Sequence, residues 1–136
     1  MDEFARTWSP RLLALLRIVA GLLFIEHGTA KLFGFPPTGM SGDLELLSLI
    51  GLSAVLEFAG GILMLLGLFT RPVAFILSGE MAVAYFMVHA PRGFFPILNG
   101  GEPAILYCFV FLYLSVAGAG AWSLDGALRR RVEAWA

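Results

Sequence analysis

Ionisable side chains inside an apolar run are the first chemical signal in this sequence. The run covers about residues 12–33 and contains Glu26, His27 and Lys31. A run of about 20 apolar residues is long enough to cross a bilayer as a helix. Because ionisable groups are costly at that depth, they usually mark a site or a specific contact between helices. We therefore expect chemistry, or a specific contact, in this part of the first run.

Further polar groups occur in or beside the later apolar runs. Glu57 and Glu80 fall near the middle of the second and third runs, and His89 lies at the end of the third. Asn99 and Glu102 follow, just before the fourth run. If successive helices cross the membrane in alternating directions, several of these groups lie at one level. The predicted ligand pocket consists of His27, Lys31, His89, Asn99 and Glu102. The candidate catalytic residues are His27, Lys31, Glu57 and His89.

A quinone head group fits these residue types. His27, Lys31 and His89 can donate hydrogen bonds to its carbonyl groups. Glu26 and Glu57 can relay protons. Cys108 is the single cysteine, so the chain has neither a redox-active cysteine pair nor a cysteine-ligated cluster. Electrons would therefore come from a partner protein or from a bound substrate.

Haem and metal sites fit the same residues less well. Two histidines at matching depth could ligate a b-type haem in a four-helix bundle. That arrangement would use both His27 and His89, and nothing else in the sequence indicates haem. No metal site is predicted, and a quinone remains the cofactor that the sequence favours.

The elements that must position these groups are four apolar runs, at about residues 12–33, 46–69, 73–90 and 104–122. The chain is 59% hydrophobic and 14% charged, whereas a soluble domain is about 45–50% apolar and about 25% charged. The predicted fold is therefore all-α, an integral membrane four-helix bundle that forms a single transmembrane domain over residues 1–136. No basic patch indicates nucleic acid, and the bilayer is the expected partner.

Lysine and arginine counts predict the orientation of the helices. Arg6 and Arg11 precede the first run, and Arg71 separates the second from the third. Residues 129–131, after the fourth run, are all arginine. The loop at residues 34–45 has no lysine or arginine, and the loop at residues 91–103 has only Arg92. The positive-inside rule then places both termini in the cytoplasm of a multi-pass inner-membrane protein, with the first apolar run retained as a span.

The first run has two distinct faces when it is drawn as a helix. Arg17, Gly21, Gly28 and Lys31 share one face, which we expect to point into the bundle because an arginine facing lipid is costly. Glu57 or Glu80 is the predicted partner of Arg17. Glu26 lies nearly opposite Arg17 and leaves room for a homo-oligomer without requiring one.

Six short motifs together resemble the DoxX family of small four-helix bacterial membrane proteins. They are His27-Gly-Thr-Ala-Lys-Leu-Phe-Gly34, Glu57-Phe-Ala-Gly-Gly61, Leu66-Gly-Leu-Phe-Thr-Arg71, His89-Ala-Pro-Arg-Gly-Phe-Phe-Pro96, Asn99-Gly-Gly-Glu102 and Gly118-Ala-Gly-Ala-Trp-Ser-Leu-Asp125. Ala30 departs from the family pattern, since many members carry glutamine there. The resemblance implies an inner-membrane protein linked to membrane redox work. Examples in the family are a thiosulfate-to-quinone oxidoreductase subunit and an oxidative-stress complex with a superoxide dismutase and a sulfurtransferase.

Three functions follow as hypotheses. The first is a subunit of a quinone-linked or oxidative-stress redox system, with a soluble or membrane-bound redox partner and a polar pocket near the outer leaflet. The second is a small proton-coupled transporter, because a carboxylate in mid-membrane suits that role. The third is a non-catalytic membrane anchor or assembly factor, in which the ionic groups only specify helix packing. The sequence leaves open whether the chain is an enzyme.

Overall fold

The computed structural model describes residues 2–38 and 44–135, and within these ranges the chain is helical and contains no strand. The α-helices are α1 (Glu3–Phe33), α2 (Leu49–Leu66), α3 (Thr70–Ala84), α4 (Pro96–Asn99), α5 (Glu102–Ala117) and α6 (Leu124–Glu133). Helix α3 continues through a π-helical turn at Tyr85–His89 and a 3-10 turn at Ala90–Arg92.

Three of these helical segments are long and apolar enough to cross a membrane, namely α1, α2 and the continuous helix Thr70–Arg92. Helix α5 is apolar but has only 16 residues. The predicted apolar runs are thus found as helices, but their boundaries differ. Helix α1 begins at Glu3, well before residue 12, and α2 begins at Leu49 rather than at residue 46. Helix α5 ends at Ala117, whereas the fourth run was expected to continue to residue 122.

Local capping explains several of these boundaries. The Asp2 carboxylate accepts a hydrogen bond from the backbone nitrogen of Ala5 at 3.1 Å, so α1 starts before the apolar run does. The Ser48 hydroxyl likewise accepts from the backbone nitrogen of Gly51 at 3.1 Å at the start of α2. Helix α2 ends at Leu66 and is followed by Gly67, whose φ of 65° is accessible to glycine at little cost.

Helix α1 packs mainly on α2, and α3 packs mainly on α5. Glycine residues allow the backbones of α1 and α2 to approach each other closely. A β-carbon at Gly28 would lie 2.6 Å from the backbone nitrogen of Phe58, and one at Gly21 would lie 2.8 Å from that of Leu65. Side chains at these positions would force the two backbones apart. The prediction that Gly21 and Gly28 share a packing face is confirmed.

Large apolar side chains fill the space between the two helix pairs. Phe24 of α1 and Phe111 of α5 are fully buried, and their rings meet edge to face with centroids 4.5 Å apart. The outer surface is also apolar. It exposes Leu15, Leu22, Val55, Phe75, Val83, Leu106, Phe109 and Val116. A protein that is apolar both inside and outside is suited to lipid rather than to water.

Candidate functional site

A polar network joins α1, α2 and α3 inside the apolar helices. The Lys31 ammonium donates a hydrogen bond to Oε1 of Glu57 at 2.8 Å, and Oε2 of the same carboxylate also lies 2.8 Å away. Lys31 donates as well to the Ser53 hydroxyl at 3.0 Å. Ser53 in turn donates to Oε1 of Glu80 at 2.7 Å. These four residues are called the Lys31 network below.

Helix geometry brings the members of the Lys31 network together. Ser53 and Glu57 are four residues apart on α2, so their side chains lie on one face of that helix. Lys31 reaches them because the backbones of α1 and α2 are close at Gly28, one turn earlier on α1. The side chains of Lys31 and Glu57 are 17% and 5% exposed, so the ion pair is largely shielded from its surroundings. Interactions between charges are stronger in such an environment than at a wet surface.

The charges of the Lys31 network do not balance. One ammonium group faces two carboxyl groups, those of Glu57 and Glu80. Oε2 of Glu80 is buried and has no hydrogen-bond partner among the described residues. The network becomes electrically neutral when it binds one proton, which makes it chemically suited to hold a proton.

Arg17 occupies a separate site at the other end of α2. It is completely buried, as predicted, but the expectation that it pairs with Glu57 or Glu80 is wrong. Its guanidinium donates to backbone carbonyls instead, at Met64, at Leu65 (2.8 Å), at Ala119 (2.9 Å) and at Trp122 (3.0 Å). Arg17 therefore satisfies the free carbonyls at the end of α2 and those of the non-helical segment that follows α5.

His89 and Asn99 contact each other beyond the end of α3. The imidazole Nδ1 of His89 lies 3.1 Å from the backbone carbonyl oxygen of Asn99. Because a carbonyl oxygen can only accept, Nδ1 carries the proton and Nε2 is the acceptor in the neutral ring. The Asn99 side chain is buried, donates to the carbonyl of Gly93 at 2.9 Å and accepts from the nitrogen of Gly101 at 2.8 Å. Asn99 thereby fixes the loop that holds His89.

His27 lies at the exposed edge where α1 meets α5. Its ring centroid is 6.3 Å from that of Phe24 and 6.5 Å from that of Tyr107, with both pairs near perpendicular. His27 precedes Lys31 by four residues, so the two side chains are neighbours along α1. The imidazole thus lies about one helical turn from the Lys31 network but on the outer side of α1.

The structure brings the predicted site residues together in separate groups. Lys31 contacts Glu57, and His89 contacts Asn99. Glu102 is exposed in the first turn of α5, and Glu26 is exposed on α1, away from the buried Arg17.

Ser53 is a site residue that the sequence did not reveal, since a single serine in an apolar helix carries no distinctive pattern. Glu80 was recognised as a carboxylate in mid-membrane but not as part of the site. The shared depth of Glu57 and Glu80 was the available signal for joining the two.

The fold and the buried network define an all-helical integral membrane protein with a specific polar interior. A family model described as DoxX matches residues 12–90, from within α1 to the last turn of the continuous third helix. This chain belongs to the DoxX family.

Relatives of the chain cover most of its length. An uncharacterized protein of Haemophilus influenzae is 52% identical over 87% of this chain and 91% of its own length. The inner membrane protein YqjF of Escherichia coli is 29% identical over 85% of this chain and 90% of its own. A Bacillus subtilis protein named Putative oxidoreductase CatD is 28% identical, with 82% of each chain covered. No solved structure matches the chain.

Proposed function

We propose that this chain is a membrane subunit of a quinone-linked redox system and that the Lys31 network handles protons for it. The observation that carries the proposal is the unequal charge count of the network, with one ammonium and two carboxyl groups in a largely buried place. A purely structural ion pair would need only Lys31 and Glu57. The added carboxyl group of Glu80, with one oxygen unpartnered among the described residues, provides a place for an exchangeable proton.

The hydrogen bonds of the network form a continuous proton path. Ser53 accepts from Lys31 and donates to Glu80, so its hydroxyl can receive a proton on one side while it releases one on the other. A proton can pass in this way between Glu80 and the Lys31–Glu57 pair without leaving the bundle. A polar path in an apolar interior is what proton transfer within a membrane requires.

The exposed edge between α1 and α5 supplies a chemically suitable place for a quinone head group. His27 and Tyr107 carry hydrogen-bond donors for its carbonyl oxygens, and Phe24 packs behind both rings and holds them in place. A bound quinone would supply a couple of two electrons and two protons, the electrons being exchanged with a redox partner protein. The name of the Bacillus subtilis relative agrees with redox chemistry.

Quinone content is the direct test. The protein is purified from bacterial membranes in mild detergent, and extracted quinone is quantified by mass spectrometry against protein. We expect roughly equimolar quinone in the wild type and in the control Glu3→Gln, whose side chain is exposed in the first turn of α1, and much less in His27→Ala. Absence of quinone from the wild type, or equal quinone in His27→Ala, would contradict the proposed binding edge.

The role of the Lys31 network is tested separately. Glu80→Gln should retain the quinone but slow its reduction by dithionite at least about tenfold, since a positioned acid–base group contributes about 10²–10⁴-fold. Glu3→Gln again serves as the control. If Glu80→Gln leaves the rate unchanged, the network has no part in the proton chemistry.

A proton-coupled transporter is the alternative that the same network favours, because one exchangeable proton is also what such coupling needs. Proteoliposomes with an entrapped pH-sensitive dye distinguish the two. Substrate-driven proton movement that is lost in Glu57→Gln, together with absence of quinone, would establish transport in place of redox chemistry.

A further inference from the structure

A second polar place lies at the opposite end of α2 and α3 from the Lys31 network. It is a cleft of about 580 Å³ between the start of α1, the start of α3 and the segment that joins α5 to α6. Its polar lining includes Arg71, Arg129, Thr70 and Asp125. This arginine cleft has no role in the proposed quinone chemistry.

Two guanidinium groups border the arginine cleft, and both are available. Arg71 lies against Gly118, with Nη2 only 3.3 Å from where a β-carbon of that residue would stand. Arg129 projects from the exposed side of α6. Within residues 2–38 and 44–135, neither arginine forms a salt bridge. Both can therefore donate to an anion.

The Asp125 carboxylate in the cleft lining already accepts two backbone hydrogen bonds. Asp125 accepts from the backbone nitrogens of Phe69 and Thr70, at 2.8 and 2.9 Å, and so caps α3. Thr70, in contrast, is completely buried, and its hydroxyl has no partner among the described residues. The donors that the cleft offers to a phosphate group are therefore the two guanidinium groups.

Helix α6 places the arginine cleft beside lipid. Leu124, Leu128 and Val132 form an exposed apolar stripe along α6, at spacings of four residues. Trp122 and Trp135 are also exposed at its two ends. A short helix with an apolar stripe and several arginines lies in the plane of the membrane interface, where tryptophan is favoured too. The cleft then opens at the level of the phospholipid head groups.

We infer that the arginine cleft binds the phosphate of an anionic phospholipid, with Arg71 and Arg129 as the phosphate ligands. The two arginines outnumber Asp125 in the lining, so the cleft favours an anion. The exposed apolar stripe of α6 favours a lipid over a soluble anion. Asp2, Glu3 and Glu133 belong to the same end of the molecule but do not line the cleft. The inference is independent of the quinone proposal, since none of its residues belongs to the Lys31 network.

Lipid retention measured by native mass spectrometry tests the inference. The full-length protein in neutral detergent is mixed with phosphatidylglycerol and phosphatidylcholine that carry the same acyl chains. We expect the wild type to prefer phosphatidylglycerol at least about fivefold, which is the contribution of one arginine near an anionic surface. Arg129→Gln and Arg71→Gln should each lower that preference about fivefold.

Arg131→Gln is the matched control, because it removes the same charge from the same helix without altering the cleft lining. It should keep the preference of the wild type. Equal retention of the two lipids by the wild type, or an equal loss in Arg131→Gln and Arg129→Gln, would overturn a specific site. Arg129 is exposed, so Arg129→Gln keeps the fold even if Arg71→Gln does not.

A further arm separates lipid from free phosphate. Excess inorganic phosphate is added to the wild type loaded with phosphatidylglycerol. We expect the lipid to remain bound, because its acyl chains contact the apolar surface next to the cleft. Displacement of the lipid by phosphate, together with phosphate binding that Arg129→Gln abolishes, would make this a free-anion site and would overturn the lipid assignment.

Discussion

Lys31 and Glu57 form a largely buried ion pair, so removal of one partner leaves a charge without compensation. Lys31→Met should lower the free energy of unfolding by about 3 kcal/mol, the low end of the range for breaking a buried pair, since the Lys31 side chain is 17% exposed. Reversible unfolding in mixed micelles with increasing SDS measures this difference.

The double variant Lys31→Met/Glu57→Gln is the control for that prediction. Without the carboxylate, no uncompensated charge remains at this position, and the stability should recover in part. A double variant that is less stable than Lys31→Met by the full effect of Glu57→Gln would show that the two side chains do not interact.

Arg17 stabilises the fold through the fixed directions of its five N–H donors and not through an ion pair. It donates to carbonyls on both α2 and the segment after α5, and a lysine ammonium cannot reach this spread of acceptors. Arg17→Lys should therefore cost roughly 3 kcal/mol, about two hydrogen bonds to a charged group. Arg6→Lys on the exposed start of α1 is the control and should change stability by less than about 0.5 kcal/mol. Equal effects in the same SDS titration would contradict the role of Arg17.

At the scale of single residues, the sequence predicted which side chains are buried better than it predicted their hydrogen-bond partners. A helical wheel correctly placed Arg17 on the inner face because its angle depends only on α1. The hydrogen-bond partners of Arg17 depend on how far the neighbouring helices are shifted along their axes. A helical wheel of α1 gives no information about that shift. Arg17 was therefore assigned to a carboxylate, whereas the nearby groups are the carbonyls at the end of α2.

At the scale of helices, the close contact of α1 with α2 depends on glycine. A β-carbon at Gly28 would come within 2.6–2.7 Å of backbone atoms of Phe58, which cannot move aside like a side chain. Gly28→Ala should therefore destabilise the protein by about 1–3 kcal/mol, the usual effect of overpacking. It should also weaken the hydrogen bonds of the Lys31 network, which depend on this contact.

Gly79→Ala in α3 is the matched control for Gly28→Ala. Apart from the adjoining backbone of α3 itself, no atom of the described residues lies within 4 Å of a β-carbon placed at Gly79. Alanine is also the better helix former, so this substitution should leave stability unchanged or raise it by up to about 1 kcal/mol. If both variants lose stability equally in the SDS titration, close packing at Gly28 is not the cause.

Helix α5 shows why the ends of spans were less predictable than their existence. Its 16 residues extend about 24 Å at 1.5 Å per residue, less than the roughly 30 Å of a bilayer core. The apolar run continues to residue 122, but the helix stops at Ala117, before Gly118 with its φ of 88°. Arg17 satisfies carbonyls of the non-helical segment that follows, and such a segment is tolerated within a membrane only where protein groups satisfy it. This arginine lies about a hundred residues away in sequence, so no local pattern identifies it as the partner.

At the scale of the whole molecule, composition was sufficient for the membrane class and the all-helical fold. It could not decide how the polar residues divide among sites. The expected pocket was predicted from depth alone and consisted of His27, Lys31, His89, Asn99 and Glu102. In the structure, Lys31 points toward α2, whereas His27 lies at the edge near α5. The contacts of a side chain depend on its angle around the helix axis as well as on its depth in the membrane. Depth alone does not determine that angle.

The number of membrane crossings gives a prediction for the molecule as a whole. Four crossings place both termini on one side, whereas three crossings without α5 would place them on opposite sides. The arginines at both ends of the chain and at Arg71 favour four crossings with cytoplasmic termini.

Single cysteines are introduced in a Cys108→Ala background and labelled with a membrane-impermeant maleimide. Arg6→Cys and Glu133→Cys should react only after permeabilisation, and Ile97→Cys should react in intact cells. Reaction of Glu133→Cys in intact cells, with Arg6→Cys protected, would show that α5 does not cross.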